Sequence, residues 1–516
     1  MPAAAGSLPW RPERVVPRPL AGLAELLPGA AWAGPPAAGV RLRGVTLDSR
    51  AVQPGDLYAA LPGARVHGAD YAGAAAAAGA VAVLTDAAGA ESARRTGLPV
   101  LVAESPRQVL GSVAGWVYGS PAESLLLLGV TGTNGKTTTA YLVEAGLRAA
   151  GRTPGLIGTI ETRLGGEVLA SVRTTPEAPD VQALLAVMRE RGADSVAMEV
   201  SSHALDFGRV DGLRFDVAVF TNLSQDHLDF HGDMESYYAA KARLFTPERA
   251  RRGVVNVDDP YGARLAASAG SAGIPVTTVS PSGAGRADWV AKRLVPGSEP
   301  GAFRLGAPDG SEVEGSVALP GRFNVDNAVL AVVALVAAGV PADRAAAGVG
   351  NLTVVPGRME RIDAGQPFLA VVDYAHTPEA VANLLAALRP LTSGRLIVVL
   401  GCGGDRDRLK RPRMGAAAVA GADVAVFTTD NPRSEDPGEI LDDMLAGAAA
   451  TGGTAPVVEP DRAAAIALAV ERARRGDTVV VAGKGHEQGQ EAAGGVVPFD
   501  DRAVLLAALS LAGSIR

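Results

Sequence analysis

The residues of this sequence best suited to chemistry stand in one stretch, T-G-T-N-G-K-T-T, made of Thr131, Gly132, Thr133, Asn134, Gly135, Lys136, Thr137 and Thr138. The two glycines let backbone N–H groups turn toward an anion, Lys136 adds a compact positive charge, and the Thr137 hydroxyl can ligate Mg²⁺ at a helix N-terminus. Four leucines at 125–128 suit a strand buried on both faces, and the apolar spacing from Thr137 onward suits an amphipathic helix. Strand, loop and helix together make a nucleotide phosphate site. The common pattern G-x-x-x-x-G-K-[ST] is not strictly met, because Val130 stands where its first glycine would be.

A second group lies further along. The segment D-S-V-A-M-E-V-S-S-H-A-L at 194–205 is a buried strand that ends in polar residues, and Glu199 inside it would be a costly buried charge without a partner; a metal ion supplies one. The next strand, F-D-V-A-V-F, runs into Asp226, His227 and His231. Adjacent strands would deliver Glu199 and His227 to the sheet edge that carries Thr137, although Mg²⁺ prefers oxygen and a histidine in its shell is unusual. Lysine usage adds a further signal. Of 48 lysines and arginines only five are lysines, at 136, 241, 292, 410 and 484. Where a generic cation would serve, the chain uses arginine, so each remaining lysine is a candidate for a compact phosphate contact or for reaction at a primary amine. For Lys241, in the helical run Y-Y-A-A-K-A-R-L-F, the alternative is an ordinary solvated charge.

Positioning these groups requires parallel sheets whose strand ends converge. With 516 residues, 47% hydrophobic and 20% charged, the chain can bury several cores, and about three domains are expected. A small α/β domain is predicted over 1–104, a phosphate-loop domain with a mostly parallel sheet over 105–355, and a Rossmann-like domain over 356–516. The run 72–80, almost all Ala and Gly, reads as a tightly packed helix, and 277–315 loosens into peripheral strands. In the first domain T-L-D-S-R brings Ser49 to a strand end, a turn by default. Thr174 and Thr175 read as a loop and helix cap. Asn324 and Asn327 share one helix face. In the last domain, Asp373, Tyr374 and His376 close one strand. Asp430, Asn431 and Arg433 close a second, and Gly483, Lys484 and Glu487 a third. Three such ends make a crevice.

The net charge of -7 excludes a global basic footprint for nucleic acid. A single cysteine, Cys402, cannot form an intramolecular disulfide, which favours a reducing compartment. No apolar run approaches the roughly 20 residues that span a bilayer, and the N-terminus lacks a signal-peptide core. A cytoplasmic monomer acting on small molecules is expected.

The T-G-T-N-G-K-T-T variant resembles the Mur ligase family, ATP-dependent amide-forming enzymes of peptidoglycan precursor synthesis, and at least seven motifs in family order extend that resemblance over nearly the whole chain. It implies ATP and Mg²⁺ as cofactors. The catalytic group would be Lys136, Glu199, His227 and Lys241, with Thr137, Glu199, His227 and Lys241 holding the metal. Lys241 would be carbamylated to N6-carboxylysine, an anionic group that arginine cannot become. Besides the phosphate loop, ATP would meet Asn324 and Asn327 at the adenine, Arg358 at the phosphates and Asp373. The resemblance places UDP-N-acetylmuramoyl-L-alanyl-D-glutamate at Leu47, Ser49, Thr174, Thr175, Ser201 and Arg209.

D-N-P-R is similar to the signature of family members that add meso-diaminopimelate, as distinct from L-lysine. Their acceptor site would correspond to Arg406, Asp430, Asn431, Pro432, Arg433, Gly483 and Glu487. Gln225 stands where the family often has arginine. The implied reaction passes through an acyl phosphate that an amine attacks. Three alternatives remain at this point: a lysine-adding relative, a ligase similar to folylpolyglutamate synthetase, and a nucleotide-binding regulator that has lost catalysis. Decay of the metal cluster would mark the last.

Overall fold

The computed structural model describes residues 10–34, 38–63, 65–171, 173–292 and 301–514. The leucine-rich strand Leu126–Thr131 lies in the interior of an eleven-stranded sheet. Parallel neighbours Ser195–Glu199 and Val217–Phe220 flank it, with Glu199 opposite Val130 and Phe220 opposite Thr131. All three strands therefore end at one edge. Both faces are covered, which is why these strands are aliphatic almost throughout. On one side Lys136–Ala149 packs against Arg322–Ala337 and Ala342–Gly350, burying Leu142, Val329 and Leu335. On the other, Ala178–Glu190 buries Leu184, Leu185 and Met188. Antiparallel pairings close both ends of the sheet; in the loosened stretch after residue 277, Trp289–Lys292 still runs parallel to Val276–Ser280, and Ala302–Gly306 and Glu312–Ser316 then add antiparallel.

A five-stranded sheet precedes this unit, with Gly44–Thr46, Asp56–Ala59, Ala82–Thr85 and Val100–Val102 parallel and Ala31–Trp32 antiparallel at one end. The alanine run forms the helix Ala72–Ala77, which buries Ala72 and Ala75 against that sheet. Pro106–Val117 places Leu110 and Val113 in the core of this first sheet while packing beside Ala178–Glu190 of the next unit.

A six-stranded sheet follows, in which Leu369–Asp373, Thr478–Ala482, Leu396–Leu400, Val424–Phe427 and Val457–Val458 run parallel. Asp373 and Leu400 both face Ala482, and Leu400 faces Phe427, so the segments after these four strands open on one crevice. A fully buried ion pair supports that edge from below: Arg462 donates twice to the Asp501 carboxylate at 2.7 Å and once to the Ala482 carbonyl at 3.0 Å. Among the described residues no helix is long and apolar enough to cross a membrane.

Candidate active site

The phosphate loop closes tightly because Gly132 has a φ of 147°, and a Cβ there would collide with the Thr221 hydroxyl. Lys136 Nζ donates to the carbonyls of Gly132 at 3.0 Å and Thr133 at 2.8 Å. Burial pulls its pKa down, with Glu199 and Asp226 acting in the opposite sense. The Thr137 hydroxyl donates to Glu199 Oε2 at 2.9 Å and accepts from Arg358 Nη2 at 3.1 Å. Arg358 in turn lies over the Tyr374 ring at 4.4 Å. These groups line a cleft of about 520 Å³ between the second and third units, together with His227, Asn327 and Asp373.

Glu199 is fully buried, and its carboxylate accepts from Thr137, from the Thr159 backbone N–H at 2.7 Å and from the Thr159 hydroxyl at 2.9 Å. All of these donors are neutral, although the carboxylate faces a cleft built for a polyanion. Among the described residues no three His, Cys, Asp or Glu side chains converge into a cage. Few protein ligands with hard oxygen atoms suit Mg²⁺, which keeps several waters and binds substrate phosphates. His227 holds a left-handed backbone, φ 54°, and its ring stands edge-on to His203 at 4.8 Å. Burial lowers its pKa to about 3, so the ring is neutral and free to ligate. Lys241 does not line the cleft. It is buried behind the loop, with Nζ 2.7 Å from the Gly132 carbonyl, because an amine without a carboxyl seeks a carbonyl oxygen.

The residues expected at the UDP-linked substrate separate into groups. Thr174 lines the nucleotide cleft. Thr175 is fully buried, donating to the Glu199 carbonyl at 2.9 Å and accepting from Ser201 N–H at 3.1 Å. Ser201 caps the helix Ser202–Asp206. Arg209 pairs with Glu177 at 2.9 Å and donates to the Thr175 carbonyl. Leu47 packs on the first core and Ser49 sits in the turn between the paired Asp48 and Arg50, away from both clefts. Thus Thr175 and Ser201 shape the strand end rather than present free hydroxyls.

Asn324 is a correction of the same kind. It does not line the cleft; it is buried behind Asn327, donating to the Pro320 carbonyl at 2.7 Å and accepting from Asn327 at 3.5 Å. Its effect on nucleotide binding is then indirect. Asn327→Ala is expected to raise the KM for ATP more than Asn324→Ala, and steady-state kinetics that rank them in the reverse order would contradict this geometry.

A second pocket, of about 230 Å³, lies at the crevice of the third unit and is lined by Arg406, Asp430, Asn431, Arg433, Gly483 and Glu487. Pro432 does not line it; its carbonyl accepts from Glu435 N–H at 3.0 Å in the turn. A Cβ at Gly483 would sit 2.6 Å from Asp430 Oδ2, which leaves no room for a side chain. Arg433 is already engaged, with Nε donating to Glu491 Oε2 at 2.9 Å and Nη1 to the Gly404 carbonyl at 2.6 Å.

Two further lysines stand at this crevice, Lys410 in its lining and Lys484 buried behind Asn431 and Glu487. Lys484 is fully buried and donates to Asn431 Oδ1 at 2.8 Å and Glu487 Oε2 at 3.0 Å. Lys410 lies 3.6 Å from Asp226. Their scarcity in the sequence was the signal that singled them out. Burial raises the pKa of Asp226, but His376 at 3.7 Å and Lys410 at 3.6 Å are among the groups that more than offset it and hold the carboxyl well below its usual range.

A phosphate loop on a parallel sheet shares Asp226 and His227 with a crevice lined by both acidic and basic side chains, an arrangement suited to an ATP-using ligase, and sequence comparison gives it a family. Residues 41–117 match the Mur ligase family catalytic domain, 130–335 the Mur ligase middle domain and 357–485 the Mur ligase glutamate ligase domain. The chain belongs to the Mur ligase family. It is 57% identical over 505 residues to the UDP-N-acetylmuramoyl-L-alanyl-D-glutamate--2,6-diaminopimelate ligase of Streptomyces avermitilis, covering 97% of this chain and 98% of that protein. The Corynebacterium glutamicum protein of the same name is 50% identical, covering 90% and 91%. A solved structure of a ligase with that name superimposes with a TM-score of 0.63 at 35% identity, covering 92% of this chain and 96% of that one.

Proposed function

We propose that this chain is the cytoplasmic ATP-dependent ligase that joins meso-diaminopimelate to UDP-N-acetylmuramoyl-L-alanyl-D-glutamate in peptidoglycan precursor synthesis. The observation that carries this reading is that Asp226 and His227 line both clefts, so that a phosphate at the loop and an amine in the crevice share one wall. The D-glutamate γ-carboxylate attacks the γ-phosphorus of ATP, forming an acyl phosphate and releasing ADP. The acceptor amine then attacks the acyl carbon, a C–N bond forms, phosphate leaves and the amine gives up its proton.

Phosphoryl transfer chiefly needs alignment and charge neutralisation. Lys136 and Arg358 supply fixed positive charge at the loop. Thr137, Glu199, His227 and a carbamylated Lys241 would hold Mg²⁺, which when bound offsets charge on the phosphate oxygens. Asp430 and Glu487 suit an ammonium of the acceptor, and Arg433 its distal carboxylate. Closure of the third unit over the second keeps water from the acyl phosphate.

The test is phosphate release with ATP, the UDP-linked dipeptide and a panel of diamino acids. Release that requires the dipeptide and is strongest with meso-diaminopimelate is expected. Equal turnover with L-lysine, or release independent of the dipeptide, would overturn the assignment.

A further inference from the structure

Gln225 makes contacts that the proposed reaction does not itself require. It follows Ser224, which is stitched to the phosphate loop: Ser224 N–H donates to the Thr133 hydroxyl at 3.0 Å, and Asn134 Nδ2 donates to the Ser224 hydroxyl at 3.3 Å. It precedes Asp226 and His227, the wall common to both clefts. Its side chain leaves this unit and enters the next. Nε2 donates to Asp407 Oδ2 at 3.1 Å, and Oε1 accepts from Arg413 Nη1.

Asp407 is a buried carboxylate directly after Arg406 of the acceptor pocket, and its other oxygen caps the turn by accepting from Leu409 N–H at 2.9 Å. Its second oxygen depends on a donor from across the interface, since a buried carboxylate left unmatched is expensive. Asp407 only accepts and Arg413 only donates, which sets the orientation of the amide between them. Only a side chain that donates at one end and accepts at the other satisfies both. Glutamate would oppose Asp407 and arginine would oppose Arg413.

We propose that Gln225 is a positioning residue for the acceptor: it transmits the setting of the phosphate loop to the segment 403–410 and so fixes where Arg406 stands. The inference rests on the reading of the crevice as the acceptor site. The contact runs in one line from Thr133 through Ser224 and Gln225 to Asp407, and it exists only with the two units together. Arg413 is exposed at the far side and belongs to neither cleft, so it can be changed to rebalance charge without touching the machinery.

The experiment compares Gln225→Glu, Gln225→Arg and the double variant Gln225→Arg/Arg413→Glu with the unchanged protein. Steady-state phosphate release gives the KM for meso-diaminopimelate and for ATP separately. Each single variant should raise the acceptor KM about tenfold, as expected for losing a hydrogen bond to a charged group, with the KM for ATP unchanged. The double variant, which sets a guanidinium between two carboxylates, should restore the acceptor KM. An unchanged acceptor KM in the single variants, a parallel rise in both KM values, or no recovery in the double variant would overturn the proposal.

Small-angle scattering with Mg²⁺ and a non-hydrolysable ATP analogue gives a readout independent of the acceptor. The unchanged protein and the double variant should contract, and Gln225→Arg should not; contraction of Gln225→Arg equal to that of the unchanged protein counts against the proposal. If the unchanged protein contracts yet meso-diaminopimelate elicits no release, the functional reading falls and the scattering comparison still decides the role of Gln225.

Discussion

Lys241→Arg is expected to lower kcat by about a thousandfold, the scale on which a lost transition-state electrostatic contact acts, and Lys241→Ala by about as much. The two should differ in rescue. Short carboxylates added to the alanine variant should restore part of the activity, because the missing group is an anion; the arginine variant should not respond.

The structure gives this expectation a physical basis. Lys241 is 1% exposed, and burial, reinforced by Lys136, holds its pKa well below that of an ordinary lysine. A neutral amine is the form that attacks CO₂, forming an N–C bond and releasing a proton, and a guanidinium has no such form at any accessible pH. Unmodified, the amine is spent on the Gly132 carbonyl. Carbamylation would turn the same side chain from a donor into an oxygen ligand. Phosphate-release rates with and without added acetate or formate are the measurement, and activity of Lys241→Arg equal to that of the unchanged protein would sink the carbamate.

Arg433→Ala is expected to raise the KM for meso-diaminopimelate by about a hundredfold and leave the KM for ATP near its original value. Meso-diaminopimelate differs from lysine by one distal carboxylate, and a guanidinium is the side chain that profits from it. Arg433 is not an isolated charge awaiting this partner: Nε is held by Glu491 and Nη1 by the Gly404 carbonyl, with the side chain 21% exposed. The Nη2 end remains for a ligand. One charge-assisted contact is worth about 1.5–3 kcal/mol, which reaches roughly a hundredfold at its upper end. Binding lysine forfeits that contact without leaving the arginine unpaired, so selectivity is bounded by the same figure. The check is the ratio of kcat/KM for the two acceptors, and a variant that keeps the original ratio would remove Arg433 from acceptor choice.

Much of this arrangement was legible in the residues alone. The phosphate loop follows from glycines, a lysine and a threonine between an apolar strand and a helix. Local sequence dictates such a unit, because the backbone of Gly132 leaves no room for a side chain. The meeting of Thr137 with Glu199 was legible for a similar reason: parallel strands with aliphatic faces must end in register, and polar residues at their ends must share an edge. Lysine scarcity pointed to five positions: Lys241, Lys410 and Lys484 are buried and Lys136 lies in the phosphate loop, whereas Lys292 is an exposed strand residue paired with Glu312.

Tertiary structure alone decided which polar groups face a ligand. Asn324 and Asn327 are equivalent by spacing, yet Asn327 lines the cleft while Asn324 turns its amide to the Pro320 carbonyl, a partner that spacing does not record. Thr175 and Ser201, which the resemblance places at the UDP-linked substrate, are set against each other by the fold, with Ser201 N–H donating to the Thr175 hydroxyl. The partners of Arg433 and of Gln225 lie 58 and 182 residues away. No local pattern carries such pairings, and that of Gln225 exists only because two units dock and the buried Asp407 carboxylate takes a donor from across the boundary.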